Sequence, residues 1–151
     1  MKPIQINGYL IYFHPLFYQQ WLELVNRVKY LKEKLEPENF VTHPEVKLLK
    51  ALDQGIKDKI SNDPFASYFV LKKPLQKYSR LKKMGLPSRY RLFFRVFKEA
   101  NTIIILWLGF PRKEGDKKDC YNVFSKMVIN GNFPEDMSSF LDLVNNSGYD
   151  N

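Results

Sequence analysis

Hydrophobic and polar positions change period twice along the chain. Tyr9 to Phe13 is a short β-rich run behind Asn7-Gly8 and predicts a first strand. His14-Pro15 then opens a helix, with proline where its missing N–H costs little. Phe17, Trp21, Leu24, Val25, Val28, Leu31 and Leu35 follow at three- and four-residue spacing, one apolar helical stripe. Glu36 to Asn39 ends it. Pro44 to Ile60 predicts a second helix, with Val46, Leu49, Leu52, Ile56 and Ile60 inward and Asn62-Asp63-Pro64 as its stop. The two helices read as an antiparallel hairpin.

After Pro74 the pattern alternates. In Tyr78 to Lys82, Arg80 and Lys82 share one face and Leu81 takes the other. Beyond the turn Gly85 to Ser88, Arg89, Arg91 and Arg95 alternate with Tyr90, Leu92, Phe94 and Val96, which predicts a strand with one apolar and one basic face. Phe93 falls on the arginine side and is a candidate stacking surface. Thr102 to Leu108 is apolar on both faces, as a central strand would be. A basic loop, Pro111 to Lys118, leads to a short helix from Asp119 to Met127, with Asp119 as its candidate N-cap. The remainder, about 132–151, is an acidic tail with at most a short helix around Ser139 to Val144. Strand, two helices, three strands and a helix define an α+β class, a small antiparallel sheet with helices on one side. At 151 residues, without repeats or linker, the chain reads as one domain, 1–151.

Composition adds four points. The longest apolar run, Ile103 to Leu108, is far short of the ~20 residues of a membrane span. The N-terminal ten residues lack a signal-peptide core, so the expected location is the cytoplasm, away from membranes. One cysteine, Cys120, excludes an internal disulfide and a cysteine-based zinc site. Charge is the fourth point. Residues 71–98 hold ten Lys/Arg and no acid, whereas the rest of the chain mixes both signs or, beyond residue 131, is acidic. A plain solvated face intersperses both signs; an acid-free block points to phosphate contacts with a nucleic acid.

Cleavage of RNA through its own 2′-OH needs a base, cations for the phosphorane and an acid for the leaving 5′-oxygen, with no metal or other cofactor. Metal-ligand spacing is absent: the basic block has no acids, and His14 and His43 are 29 residues apart. Both histidines precede a proline and read as caps or packing groups. Lys82, crowded by Arg80 and Arg91, is the candidate base, since neighbouring positive charge and desolvation lower a lysine pKa. The arginines suit an electrostatic clamp. Tyr121 reads equally as a base-stacking or hydroxyl-donating residue and as a helix residue packed on the sheet.

Four blocks resemble the YhaV toxins: Asn7 to Phe17, Tyr78 to Lys82, Arg89 to Arg95, and Asp119 to Met127. YhaV proteins fall within the RelE-like group, whose fold is a small antiparallel sheet packed on helices. The resemblance implies a toxin of a type II toxin–antitoxin system, an endoribonuclease that cuts mRNA, on the ribosome as RelE proteins do. It implies a PrlF-type antitoxin, an AbrB-like swapped-hairpin protein, with operator DNA bound only by the complex. By that resemblance Lys82 assists 2′-OH deprotonation, Arg80 and Arg91 stabilise the phosphorane, Arg112 assists the leaving group, and Tyr121 orients or stacks a base. Arg89, Arg95, Lys83, Lys117 and Lys118 are the further RNA-binding candidates. RelE has lysine at both alternating strand positions, whereas this chain has Arg80 at the first. Its Phe110 to Lys118 loop is also longer, so Arg112, Lys117 and Lys118 compete for one role. Two other readings share the charge block: a ParE-like gyrase inhibitor on the same fold, and a non-catalytic nucleic-acid-binding module.

Overall fold

The computed structural model describes residues 2–111 and 119–146. Among these, five strands form one sheet: β1 (Ile4–Ile6), β2 (Tyr9–Phe13), β3 (Ser79–Leu81), β4 (Arg91–Phe97) and β5 (Thr102–Gly109). Their spatial order is β1-β2-β5-β4-β3. The helices are α1 (Pro15–Lys34), α2 (Pro37–Thr42), α3 (Pro44–Gln54), α4 (Asp119–Ile129) and α5 (Met137–Asn146). A π-helical turn, Gly55–Ile60, continues α3 to the end of the predicted second helix.

The α+β class stands, but the sheet is mixed. β4 is antiparallel to both neighbours, whereas β2 pairs parallel with β5 from Leu10↔Thr102 to Phe13↔Ile105. The chain leaves β2 through α1 to α3 and returns by the series β3-β4-β5, long enough for the crossover that parallel pairing requires. β1 was absent from the sequence reading. Its signal was Asn7-Gly8, which turns with φ of 53° and 85° into a hairpin on β2. α2 was also missed, because its six residues are too few to show a period.

Each sheet face carries a core. Leu92, Phe94, Ile103, Ile105 and Leu108 pack with Phe17 and Leu24 of α1 and Leu52 of α3. On the opposite face Phe93, Ile104 and Leu106 pack with Cys120 and Phe124 of α4, with Phe140 of α5, and with Phe133 between the two helices. Helices therefore cover both faces, not one, as the two-sided apolarity of β5 demands. The acidic segment after residue 131 accordingly carries core residues; Asp136 accepts from Ser139 N at 2.7 Å and starts α5. Between Phe93 and Phe94 the β4–β5 register shifts, leaving Leu106 extra. That bulge puts Trp107 on the same side as Leu106, against Phe93.

Three contacts seat the helices. Beyond the reach of β2, the Gln20 amide donates to Leu108 O at 2.9 Å and accepts from Leu108 N at 2.8 Å, satisfying β5 with a side chain. Gly55 lets the π-helical turn approach β3, since a Cβ there would stand 2.5 Å from Leu81 Cδ2. His14 caps α1, its Nδ1 accepting from Leu16 N, and its Nε2 lies 3.2 Å from Asn132 O. His43 caps α3 in the same way, accepting from Glu45 N. Both histidines are thus the caps that the sequence predicts.

Burial drives the His14 pKa down to about 4, against a smaller upward pull from the Asn132 carbonyl. The unfolded chain binds this proton below the ordinary value of 6.5 and the native state resists it down to about 4. Stability is therefore lost as pH falls through that window, about 2 kcal/mol by pH 5. Urea unfolding of wild type and His14→Gln between pH 7.5 and 5 should show this slope in wild type and a shallower one in the variant. Equal slopes would refute the assignment.

Candidate functional site

β3 and β4 pair with Arg80 opposite Phe93 and Leu81 opposite Leu92, so Arg80 shares its face with Arg91, Phe93 and Arg95. Lys82 follows one step beyond the last pair. α4 crosses this face, anchored by Phe124, whose ring stacks on Phe93 with centroids 4.1 Å apart. Tyr121, one turn earlier, meets Phe93 edge-on and projects its hydroxyl between the two arginines.

That hydroxyl is the centre of the cluster. It accepts from Arg80 Nε at 3.1 Å and from Arg91 Nε at 3.0 Å. Each guanidinium is fixed a second time through Nη1: Arg80 donates to Tyr68 O at 2.8 Å and Phe69 O at 3.2 Å, Arg91 to Tyr90 O at 2.8 Å. Neither Nη2 has a protein partner among the described residues, nor does either arginine face a carboxylate. Half-burial of Tyr121 opposes ionisation, but the two donated hydrogen bonds and the two positive charges outweigh it, so its phenol is held below the usual tyrosine value. An oriented pair of cations with open N–H groups is an anion site, matched to the oxygens of a phosphodiester. Beside it lies an open groove of about 420 Å³, which Arg80, Lys82 and Tyr121 line together with Lys72 and Lys73.

The single basic face expected from alternation does not form. Arg80 and Arg91 meet at Tyr121 and Lys82 lines the adjoining groove, but Arg95 is buried beneath α5 and its approach. Its guanidinium sits 4.4 Å from the Phe97 ring centroid and 5.5 Å from that of Tyr78, and donates to Pro134 O. This charge is spent on packing. Arg89 precedes β4 in a left-handed conformation, φ 67°, and its carbonyl accepts from Cys120 Sγ. Lys83 is exposed in the turn after β3 and does not line the groove. Phe93 offers no stacking surface, being wholly buried against Phe124 and Trp107. Arg112, Lys117 and Lys118 lie outside the described residues. The alternation missed the groove itself. Lys72 and Lys73 showed only as charge, and Leu71, Leu75 and Asn122, which complete its lining, gave no signal at all.

A family model described as a toxin with endonuclease activity, of a toxin–antitoxin system, matches residues 11–145. The protein is therefore a toxin of that class, with endonuclease activity and an antitoxin as its counterpart. Specifically, the chain belongs to the YhaV toxin family. It is 37% identical over 145 residues to Toxin YhaV of Escherichia coli O6:H1, covering 91% of this chain and 92% of that one. It is also 37% identical over 142 residues to Ribonuclease toxin YhaV of Escherichia coli K12, covering 89% and 90%. Among solved structures, the toxin–antitoxin complex RelBE2 from Mycobacterium tuberculosis aligns at 18% identity and a TM-score of 0.43, over 75% of this chain and 97% of that one.

Two measurements separate the roles of these residues. Arg95→Ala should lower unfolding stability by about 2 kcal/mol through lost packing, and an unchanged denaturation midpoint would contradict its burial. An ultraviolet difference titration should show one phenol ionising below the ordinary value of about 10, absent in Tyr121→Phe and moved upward in Arg80→Ala. Identical titrations in all three proteins would remove the shared-donor arrangement.

Proposed function

We propose that the protein is an endoribonuclease that cuts mRNA by attack of the 2′-oxygen on the adjacent phosphorus. The observation that carries this reading is the Arg80–Tyr121–Arg91 cluster, two guanidiniums fixed by one phenol with their Nη2 groups open. In the reaction the 2′-O–P bond forms, the P–O5′ bond breaks, and the 2′-OH proton is lost as the 5′-oxygen gains one. The products are a 2′,3′-cyclic phosphate and a 5′-hydroxyl. Arg80 and Arg91 stabilise the charge that gathers on the phosphorane oxygens. Lys82, at the rim of the same groove, helps remove the 2′-OH proton. Tyr121 acts through its hydroxyl, holding both arginines, in preference to stacking a base. Arg112 assists the leaving group, with Lys117 and Lys118 as alternatives for that role, and Arg89 and Lys83 serve as weaker phosphate contacts.

The wider setting follows from this reading. The substrate is mRNA met on the ribosome in the cytoplasm, and the antitoxin is a PrlF-type, AbrB-like swapped-hairpin protein whose acidic segment covers the 71–98 face. Operator DNA is bound by the complex alone. The name of the Escherichia coli K12 relative, a ribonuclease toxin, agrees with RNA as the substrate.

Purified wild type, Arg91→Ala and Lys82→Ala should be incubated with a defined mRNA in EDTA, free and on programmed ribosomes. Wild type should leave discrete cyclic-phosphate ends, and each substitution should slow cutting by about 100-fold or more while the circular dichroism stays native. A folded wild type that cuts in neither lane overturns the reading and favours gyrase inhibition or simple binding.

A further inference from the structure

The groove beside the arginine cluster is larger and less polar than phosphate contacts require. Leu71 and Leu75 line it together with Lys72, Lys73 and Lys82. A phosphate gains nothing from two leucines. A flat group with an apolar face gains a great deal, provided that its edge finds hydrogen bonds. Asn122 supplies them. It lines the groove directly after Tyr121 and is exposed, its amide making no hydrogen bond to the described residues. It is the one groove residue with an uncharged carboxamide, which sets a donor and an acceptor side by side. Among biological groups, a nucleobase combines a planar apolar face with an edge of paired donors and acceptors, and an asparagine amide reads such an edge in bidentate fashion.

The groove is continuous with the arginine cluster, since Arg80 and Tyr121 belong to both. Its occupant must therefore be attached within one nucleotide of the phosphate held by the guanidiniums. Among the described residues no acidic side chain lines it, so the phosphates on either side of that nucleotide meet Lys72, Lys73, Lys82 and Arg80.

We propose that the groove is a nucleobase pocket for the nucleotide flanking the scissile phosphate, and that Asn122 selects the base placed there. This rests on the ribonuclease reading above, and deepens it from an RNA substrate to a particular contact.

The test has two arms, so that the two readings fail separately. In the first, a pool of RNAs randomised around one cut is digested by wild type, Asn122→Ala and Asn122→Asp, and the ends are sequenced. Wild type should favour one base beside the cut by about tenfold. Asn122→Ala should lose that preference, and Asn122→Asp, the same size without amide donors, should shift it to another base. In the second arm, wild-type binding is measured by fluorescence anisotropy with oligoribonucleotides that carry 2′-deoxyribose at the cut and an abasic residue at each flanking position in turn. One abasic position should weaken binding about tenfold or more, and Asn122→Ala should make that position indifferent. Cutting with the same base profile in all three proteins, or binding equally tolerant of every abasic position, overturns the pocket and leaves the ribonuclease reading standing. Binding that depends on one base and on Asn122, without any cutting, supports the pocket and overturns the ribonuclease reading.

Discussion

β5 presents Ile103 to Leu108, an apolar side chain at every position, and this one constraint organises the molecule. Five of the six are buried, each contributing roughly 2 kcal/mol when removed from water. A one-sided sheet would forgo about half of that sum, more than the exposed ion pairs Arg27–Glu45 or Lys57–Asp53 could return. Both faces must therefore be covered. The N-terminal helices take one face, leaving the C-terminal third of the chain to close the other.

That closure falls on the face that carries the arginines, and it decides what each of them does. β4 places Arg91, Phe93, Arg95 and Phe97 on one side in strict alternation. Under α5 and the segment before it, Arg95 is largely shielded from water and forms no ion pair among the described residues; Asp136 acts on it only at longer range, and aromatic rings accommodate its charge. At the other end of the strand the N-terminal turn of α4 overlies Arg91, bringing a single phenol over it. Two guanidiniums that would repel each other in a bare pair there share an acceptor, while backbone carbonyls hold their far sides. Residues spaced four apart on one strand thus become a packing group and an open, oriented cation.

Much of the fold was legible in the chain because its signals are local. The α1 stripe from Phe17 to Leu31, the Pro15 and Pro44 helix starts and the alternation of β4 all express backbone periodicity, and the structure follows them. Asn7-Gly8 was an equally local signal, and the β1 hairpin that it encodes went unread. The parallel pairing of β2 with β5 lies 92 positions apart at its first contact, Leu10 with Thr102. No periodicity carries that information. The clustering of Arg80, Lys82 and Arg91 was foreseeable from strand parity, and the role of Arg95 was not, since parity names a face without saying what will cover it. The same limit explains Phe93, which sits on the side read as basic and is yet a wholly buried ring of the second core. Asn122 and the two leucines of the groove are unremarkable as sequence; only their convergence from two distant segments gives them meaning.

The position of Tyr121 ties the site to the core more tightly than a surface patch would be. Phe124, one turn further along α4, is stacked on Phe93, and Phe93 is paired across the strand with Arg80. A rotation of α4 that unstacked those rings would also withdraw the phenol from both guanidiniums. The rigidity of the aromatic stack is therefore the rigidity of the anion site. A ring contact of this kind contributes about 1 kcal/mol beyond its burial, modest for stability, yet its geometric consequence is larger. Rotamer freedom lost in the core need not be lost again when a phosphate arrives. A long cation fixed in this way by a sheet and a helix has little rotamer entropy left to surrender to an anion, whereas a free one would lose it on contact.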